Sequence, residues 1–381
     1  MSVPQSPPSP EHRAASVRAA LARGDLLGAY DEVVRRGTTD HHGLNYLEVL
    51  TLARLGDTRR ALRLYDDYGL GEEDDVDSLS LKARLLKDLA FEAGDTPNRE
   101  KLMAACDLYE AIHQRTNSSY PAINAASLAL IAGENDLARR LAQEVVQETA
   151  PDRRSGYFSL ATLAEALAVL GDVEGATAAL KRALAAPDAD VGARSTTVLQ
   201  LQRLVAAHSV APGMEALLEL VQPPRVAMFC GNIFVGGAEL EAKLAADMAE
   251  LIARENVGFA YGALAAGSDI VIAEQLIARG AELHVVLPFA QAEFLEQSVA
   301  PSGERWVERY HACVAAAASV TYASNMTYMG GMEQFAYGSK VTMGMTRLRA
   351  RQLHAEAIQL VIVEDRGEKT LSGSDITAWR S

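Results

Sequence analysis

Cysteine is scarce: Cys106, Cys230 and Cys313 are the only three in 381 residues, and they stand far apart. An odd, scattered set excludes a disulfide framework and offers no CxxC pair for zinc. The thiols read as buried and inert. Aromatic residues make up only 6% of a chain that is 49% hydrophobic. With alanine abundant in the first half, that balance suits packed helices better than an all-β core. Cations are in deficit, with 36 Lys and Arg against 50 Asp and Glu, a net charge of −14. A general nucleic-acid binder shows a basic field, so no nucleic-acid partner is expected. No apolar run approaches the ~20 residues that span a bilayer, and the first residues lack a charged-then-apolar leader. The expectation is a cytoplasmic protein with no membrane partner. GxxxxGK(S/T), GxSxG and HExxH are all missing. The eight histidines are scattered, and no metal site is expected.

What is there falls into two halves. Residues 1–11 carry four prolines and three serines and read as a disordered lead-in. From 12 to 220 the pattern is helical and a turn signal recurs. Gly24-Asp25, Gly56-Asp57, Gly94-Asp95, Gly133-Glu134 and Gly171-Asp172 follow one another at intervals of roughly 32 to 39 residues. Glycine ends one helix in the left-handed conformation, and the acidic residue caps the next. Five residues after the glycine stands Ala29, Ala61, Ala138 or Ala176, with Arg99 breaking the rule in the third unit. A small residue there lets two helices of a hairpin close up. The expectation is an all-α helical-repeat solenoid, with an irregular bundle as the alternative. Gly71 to Asp75 reads as a solvated loop between units.

The period and the alanine resemble tetratricopeptide repeats. Ser118–Val145 and Gly156–Leu184, with Tyr120-Pro121 and Asn124 as distinctive positions, resemble the TRAFs-binding domain of kinase regulatory regions. That resemblance implies a protein partner on the helices. In similar bacterial proteins the helices accompany a nucleotide-sensing module and an effector such as a nucleotide cyclase. A purely structural reading of the same positions has Asn124 tying one helix to its neighbour.

Val221-Gln222-Pro223-Pro224 reads as a linker. Beyond it, over 225–366, apolar runs at Arg225–Cys230, Val257–Tyr261, Leu283–Leu287, Ser319–Ala323 and Ile358–Val363 alternate with helical stretches. Alternation of this kind predicts a Rossmann-like α/β domain, a parallel sheet covered by helices. All strand C-termini then meet at one edge, where ligands bind. Residues 367–381 read as a polar tail.

The residues expected at that edge make the candidate site. Gly231 and Asn232 end the first strand. Gly262, Gly267, Ser268 and Asp269 follow the second, Pro288 the third, and Tyr328 the fourth. A glycine loop opening a helix frees amides for an anion, so Ser268 and the amides near Gly267 are assigned a phosphate and Asp269 a ribose hydroxyl. The local alternative makes Ser268 an N-cap and Asp269 a first-turn acid. Glu333 and Tyr337 share a helical face and either line the pocket or form an exposed pair. Trp306, Arg305 and Arg309 either stack on a base and hold a phosphate, or are core and surface. The run Arg347, Arg349, Arg351 reads as solvated. For a hydrolytic alternative the acid/base candidates are Asp269 and Glu274.

The segments RVAMFCGNIF, GFAYGALAAGSD and ELHVVLPF, together with EFLEQSV, resemble the SLOG superfamily of Rossmann-like domains that sense or process nucleotide-related ligands. The resemblance implies a nucleotide-derived ligand at Gly231, Asn232, Gly262, Gly267, Ser268 and Asp269, with no separate cofactor required. The PGGxGTxxE string of the phosphoribohydrolase branch is missing, which puts that branch's chemistry in doubt. Three functions stand side by side: a signalling protein coupling repeats to a nucleotide sensor, a nucleotide hydrolase cutting an N-glycosidic or phosphate bond, and a ligand-free scaffold.

Overall fold

A computed structural model of the chain describes residues 9–34, 41–92, 96–149, 156–207, 211–233, 237–363 and 371–380. The chain divides into two compact units, Met1–Pro223 and Pro224–Ser381.

The first unit is built of helical hairpins. They are α1 (Pro10–Ala22) with α2 (Leu26–Val34), α3 (His42–Leu55) with α4 (Thr58–Asp67), and α5 (Val76–Ala90) with α6 (Arg99–Thr116). Then come α7 (Ser119–Ala132) with α8 (Asn135–Glu148) and α9 (Tyr157–Leu170) with α10 (Val173–Leu184). Two further helices, α11 (Val191–Ala206) and α12 (Glu215–Val221), close the unit. Each hairpin packs on the next, α2 on α3, α4 on α5, α6 on α7 and α8 on α9. That is a helical-repeat stack, as the turn spacing predicts. The first helix starts at Pro10, ahead of residue 12, with Ser9 as its cap; the rest of the stretch expected as a lead-in lies outside the described residues.

Turn chemistry makes the hairpins. Gly24, Gly56, Gly133 and Gly171 all have positive φ, between 66° and 87°. The Asp25 and Asp172 carboxylates accept from the amides three residues on, at 2.9 and 2.8 Å. Glu134 holds the equivalent place without a side-chain cap. The turn expected at Gly94-Asp95 lies outside the described residues. Ala29, Ala61, Ala138 and Ala176 are all buried, within the core clusters where the hairpins pack. Ala61→Leu is therefore expected to overpack the α3–α4 interface and cost about 2 kcal/mol. Thermal unfolding followed by helical circular dichroism checks this, with the exposed Arg63→Leu, expected within about 0.5 kcal/mol of the parent, as control.

Polar groups pin the helices together as well. Asn124 on α7 accepts from Lys87 Nζ on α5 at 2.8 Å and donates to the Tyr120 carbonyl at 3.0 Å, the tie that its position predicts. Asp75 belongs less to a solvated loop than to a cap, accepting from the Ser78 amide at 2.9 Å. Helix α11 packs against α1, α7 and α9. Gly192 lets it do so, since a Cβ there would lie 2.0 Å from the Leu21 carbonyl oxygen.

The second unit is a five-stranded parallel sheet. Its elements are β1 (Arg225–Gly231), α13 (Ala238–Arg254), β2 (Val257–Gly262), α14 (Ser268–Ala278), β3 (Glu282–Leu287), α15 (Gln291–Ser298), α16 (Glu304–Ala316), β4 (Ser319–Tyr322), α17 (Glu333–Leu353), β5 (Ala357–Ile362) and α18 (Leu371–Arg380). The strand order is β4-β3-β2-β1-β5. Strands add in one direction from β1 to β4, and the chain then returns to set β5 on the other side of β1. Right-handed crossovers put α13, α14 and α16 on one face and α17 on the other. Accordingly α14 packs on α13 and α16, while α17 packs on β1, β2, β3 and β5. Strand β1 is covered on both sides, with Val226, Ala227, Met228 and Phe229 all buried. Pairing is level at the carboxyl edge, where Gly231 faces Ile362 and Gly262 faces Val285.

Two expectations are corrected here. The polar stretch expected as a tail forms α18 over Leu371–Arg380, packed on α17, β1 and β5. The arginines of α17 are not uniformly solvated. Arg349 is buried, 3.6 Å from Glu282 and over the Phe259 ring at 4.8 Å. Spacing by two spreads three side chains around a helix, so one of them must meet the sheet.

Candidate functional site

The strand order reverses at β1, and the carboxyl edge beside it holds a cavity of about 540 Å³. Crevices at such a reversal are where open α/β sheets take ligands. Phe229, Phe294, Tyr328 and Phe335 supply apolar wall. Phe289 stacks behind them, 5.0 Å from Tyr328 and 5.2 Å from Phe335 between ring centres. The polar lining comes from Asn232, Gln297, Ser298, Ser339 and Thr342, and from two acids, Asp269 and Asp375.

Asp269 is held by the loop that precedes it. Gly267 opens α14 with φ 93°, ψ −118°, a conformation that side chains rarely adopt. That turn swings Asp269 back, so that its Oδ2 accepts from the Ala265 amide at 3.2 Å. Its Oδ1 is buried without a hydrogen-bond partner. Burial pushes the carboxyl up to about 8, against the pull of the Ala265 and Gly231 amides, and the nearby Asp375 adds to the rise. A buried acid of this kind stays protonated near neutral pH and can donate as well as accept.

Asp375 approaches from α18. Its Oδ2 accepts from the Ser339 hydroxyl of α17 at 2.9 Å, and burial raises its pKa against that bond. Cys230 lines the same space, and burial, with both acids near, holds its thiol well above the ordinary range. It is no nucleophile there.

Six of the expected residues line the cavity together: Gly231, Asn232, Gly262, Asp269, Pro288 and Tyr328. The others do not. Ser268 is fully buried, and its hydroxyl donates to the Asn232 carbonyl at 2.8 Å and lies 3.3 Å from that of Ile362. It stitches the glycine loop to the ends of β1 and β5 and has no bond to spare for a phosphate. Gly267 shapes the loop from behind. Glu333 and Tyr337 are exposed at the start of α17. The face that reaches the cavity is Phe335, Gly338, Ser339 and Thr342, one step round the helix. Glu274 is clamped by Arg309, at 2.7 and 2.6 Å, outside the cavity. Arg305 and Arg309 also pair with Glu241 and lie over the ring of buried Trp306. They are a helix-to-helix clasp.

The glycines at the strand ends serve packing first. A Cβ on Gly231 would meet Ser268 Cβ at 2.3 Å, and one on Gly262 would meet the Phe229 ring at 2.5 Å. Asp375, Ser339 and Thr342 are cavity residues that sequence reasoning misses. The small-residue stripe at i, i+1 and i+4 of α17 is the signal that marks two of them. Among the described residues lining the cavity, none is Lys, Arg or His, so the cavity itself suits an uncharged or donor-rich group better than a phosphate.

Residues 23–129 match the family model of Tetratricopeptide Repeats-Sensor. No curated protein matches the chain. Among solved structures, a tetratricopeptide repeat protein from Parabacteroides merdae is similar, at 17% identity and a TM-score of 0.22, over 55% of this chain and 98% of that one. The family match agrees with the hairpins and their turns, and tetratricopeptide-like repeats point to an interaction or regulatory scaffold. Among the described residues, no helix is long and apolar enough to cross a membrane.

Proposed function

We propose that the chain is a regulatory scaffold whose α/β unit binds a nucleotide-derived ligand, with the base and sugar in the cavity of the carboxyl edge. One observation carries this reading: Asp269, buried at the cavity, has one carboxyl oxygen held by the loop and the other without a partner. An unsatisfied buried oxygen is costly to leave so, and a sugar hydroxyl or a base edge meets it. The aromatic wall offers a face to a planar ring. The likeness to SLOG domains and to the TRAFs-binding region agrees with a small molecule on one unit and a protein partner on the other.

The test is thermal unfolding of the full chain with a set of nucleosides and nucleotides. At least one is expected to raise the melting temperature, by an amount that grows with concentration. Ala263→Phe, which fills part of the cavity, is expected to abolish the rise while the chain stays folded. No rise with any compound at millimolar concentration sinks the reading.

A hydrolytic reading is favoured by one further fact: two acids with raised pKa line the same cavity. Protonated Asp269 would give its proton to a departing base while Asp375 takes one from water. Chromatography for released base decides it. Asp375→Asn would then stop release and leave binding in place.

A further inference from the structure

The cavity at the carboxyl edge of the sheet holds two acids and, among its described lining residues, no Lys, Arg or His. Asp269, from the start of α14, and Asp375, from α18, are both buried. Each has one carboxyl oxygen tied to the protein, Asp269 to the Ala265 amide at 3.2 Å and Asp375 to the Ser339 hydroxyl at 2.9 Å. The other oxygen of Asp269 meets no donor. A buried carboxyl so placed has two stable conditions. It keeps its proton, or it pairs with a cation that comes in from solution. A neutral ligand needs no acid at all. Asn232, Gln297 and Thr342 line the same space and would serve its hydrogen bonds at a lower desolvation cost.

The rings of this cavity suit a cation as well. Tyr328 and Phe335 are half-buried, with centres 5.9 Å apart and planes inclined at 70°. Phe289 backs both, at 5.0 and 5.2 Å. Two rings set nearly at right angles make a corner. An aromatic face attracts positive charge through its quadrupole, most strongly where water is excluded. A metal ion fits less well. Among the described residues, the one group of three His, Cys, Asp or Glu close enough to share an ion is His42, Glu73 and Asp75 on the helical unit. Asp269 and Asp375 have no such third partner, and aromatic carbon offers a hard cation no oxygen.

We propose that the base taken by this cavity carries a fixed positive charge, as a pyridinium or an N-methylated purine does, and is held by the Tyr328–Phe335 corner with Asp269 and Asp375 as its counter-charge. This rests on the reading of the α/β unit as a binder of nucleotide-derived ligands, and narrows it. Burial raises both carboxyls. In the empty cavity Asp269 therefore keeps its proton, and it yields that proton to solvent when a cation brings the missing charge. A neutral base gains from neither the acids' charge nor the rings' quadrupole. An anionic group is repelled by both.

The experiment is calorimetry on the full chain at pH 7.5 with two pairs of nucleosides that differ in charge and little in shape. Nicotinamide riboside, a pyridinium, is set against its uncharged 1,4-dihydro form, and 1-methyladenosine against adenosine. In one pair the cation is expected to bind at least about 10-fold tighter, and the pair that shows it tells which kind of base the cavity serves. Asp269→Asn is expected to cut that preference by about 5-fold, and Phe335→Leu by about 3-fold. Circular dichroism melts of both variants establish that they are folded at the temperature of measurement. Equal binding of charged and neutral partners in both pairs overturns the proposal and leaves the nucleotide reading in place. A preference that neither substitution reduces also overturns it, because the charge is then read elsewhere. No binding by any of the four overturns it too, and the nucleotide reading falls with it only if no other nucleoside or nucleotide raises the melting temperature.

Discussion

At pH 8 Asp269→Asn is expected to unfold at a higher temperature than the parent chain, and at pH 4 the two are expected to converge. Burial holds the folded-state carboxyl at about 8, whereas an aspartate in an unfolded chain titrates near ~3.9. Between those values the folded protein keeps a proton that the unfolded chain gives up. The stabilisation is therefore complete below about pH 4 and is lost as pH rises through about 8. Every tenfold difference in proton affinity between the folded and unfolded chain corresponds to about 1.4 kcal/mol. Allowing for relaxation around the charged form, the loss is on the order of 3 kcal/mol. Asparagine has no proton to lose and keeps the amide contact side of the interaction only in part, so the gain appears at high pH alone. Asp375 is shifted in the same direction and leaves a weaker slope in the variant. Melting temperatures from pH 4 to pH 8.5 measure the difference. Parallel curves would mean that Asp269 ionises freely in the folded state, and the neutral donor at the cavity would be lost with it.

Gly231→Val is expected to cost more than about 3 kcal/mol, on the order of the worst core substitutions, and to unfold the α/β unit at temperatures where the parent is intact. The new Cβ would meet Ser268 Cβ at 2.3 Å and the Ile362 carbonyl oxygen at 2.5 Å. Neither can yield. Ile362 is paired in the ladder opposite Gly231, and Ser268 is held by its hydrogen bond to the Asn232 carbonyl. Hydrogen exchange should show β1 and β5 losing protection while the helical hairpins keep theirs. Gly344→Ala, at an exposed position of α17 with nothing within 4 Å of the new carbon, is the control. It is expected to stabilise by about 0.5–1 kcal/mol.

Much of this architecture is legible in the sequence, for physical reasons. All five strands lie within a residue of the apolar runs; for β1, β2 and β3 the reason is that a doubly covered parallel strand has no polar face to blur its ends. The hairpins are legible because a glycine with positive φ and a capping acid leave few other choices. Ser268 misleads because a serine after glycine at a helix start looks the same whether its hydroxyl faces a ligand or the backbone. Only the third dimension shows Asn232 and Ile362 waiting for it. Glu333 and Tyr337 miss the cavity by one step of helix rotation, which a face of Phe335, Gly338, Ser339 and Thr342 corrects. Asp375 is invisible in principle. Its run, Leu371-Ser372-Gly373-Ser374-Asp375, has neither apolar period nor charge pattern, and its helix owes its place to packing on α17 and β5.

That last helix has a practical bearing on how the α/β unit is handled. A worker trimming the gene by strand and helix count would stop soon after β5, and the fragment would still contain every strand. It would have shed Asp375 and with it the acceptor for Ser339. It would also have shed Trp379, whose carbonyl and ring hold Arg347. Screens run on such a fragment would probe a basin that lacks one of its two acids, and a blank result from them would describe the cut rather than the protein.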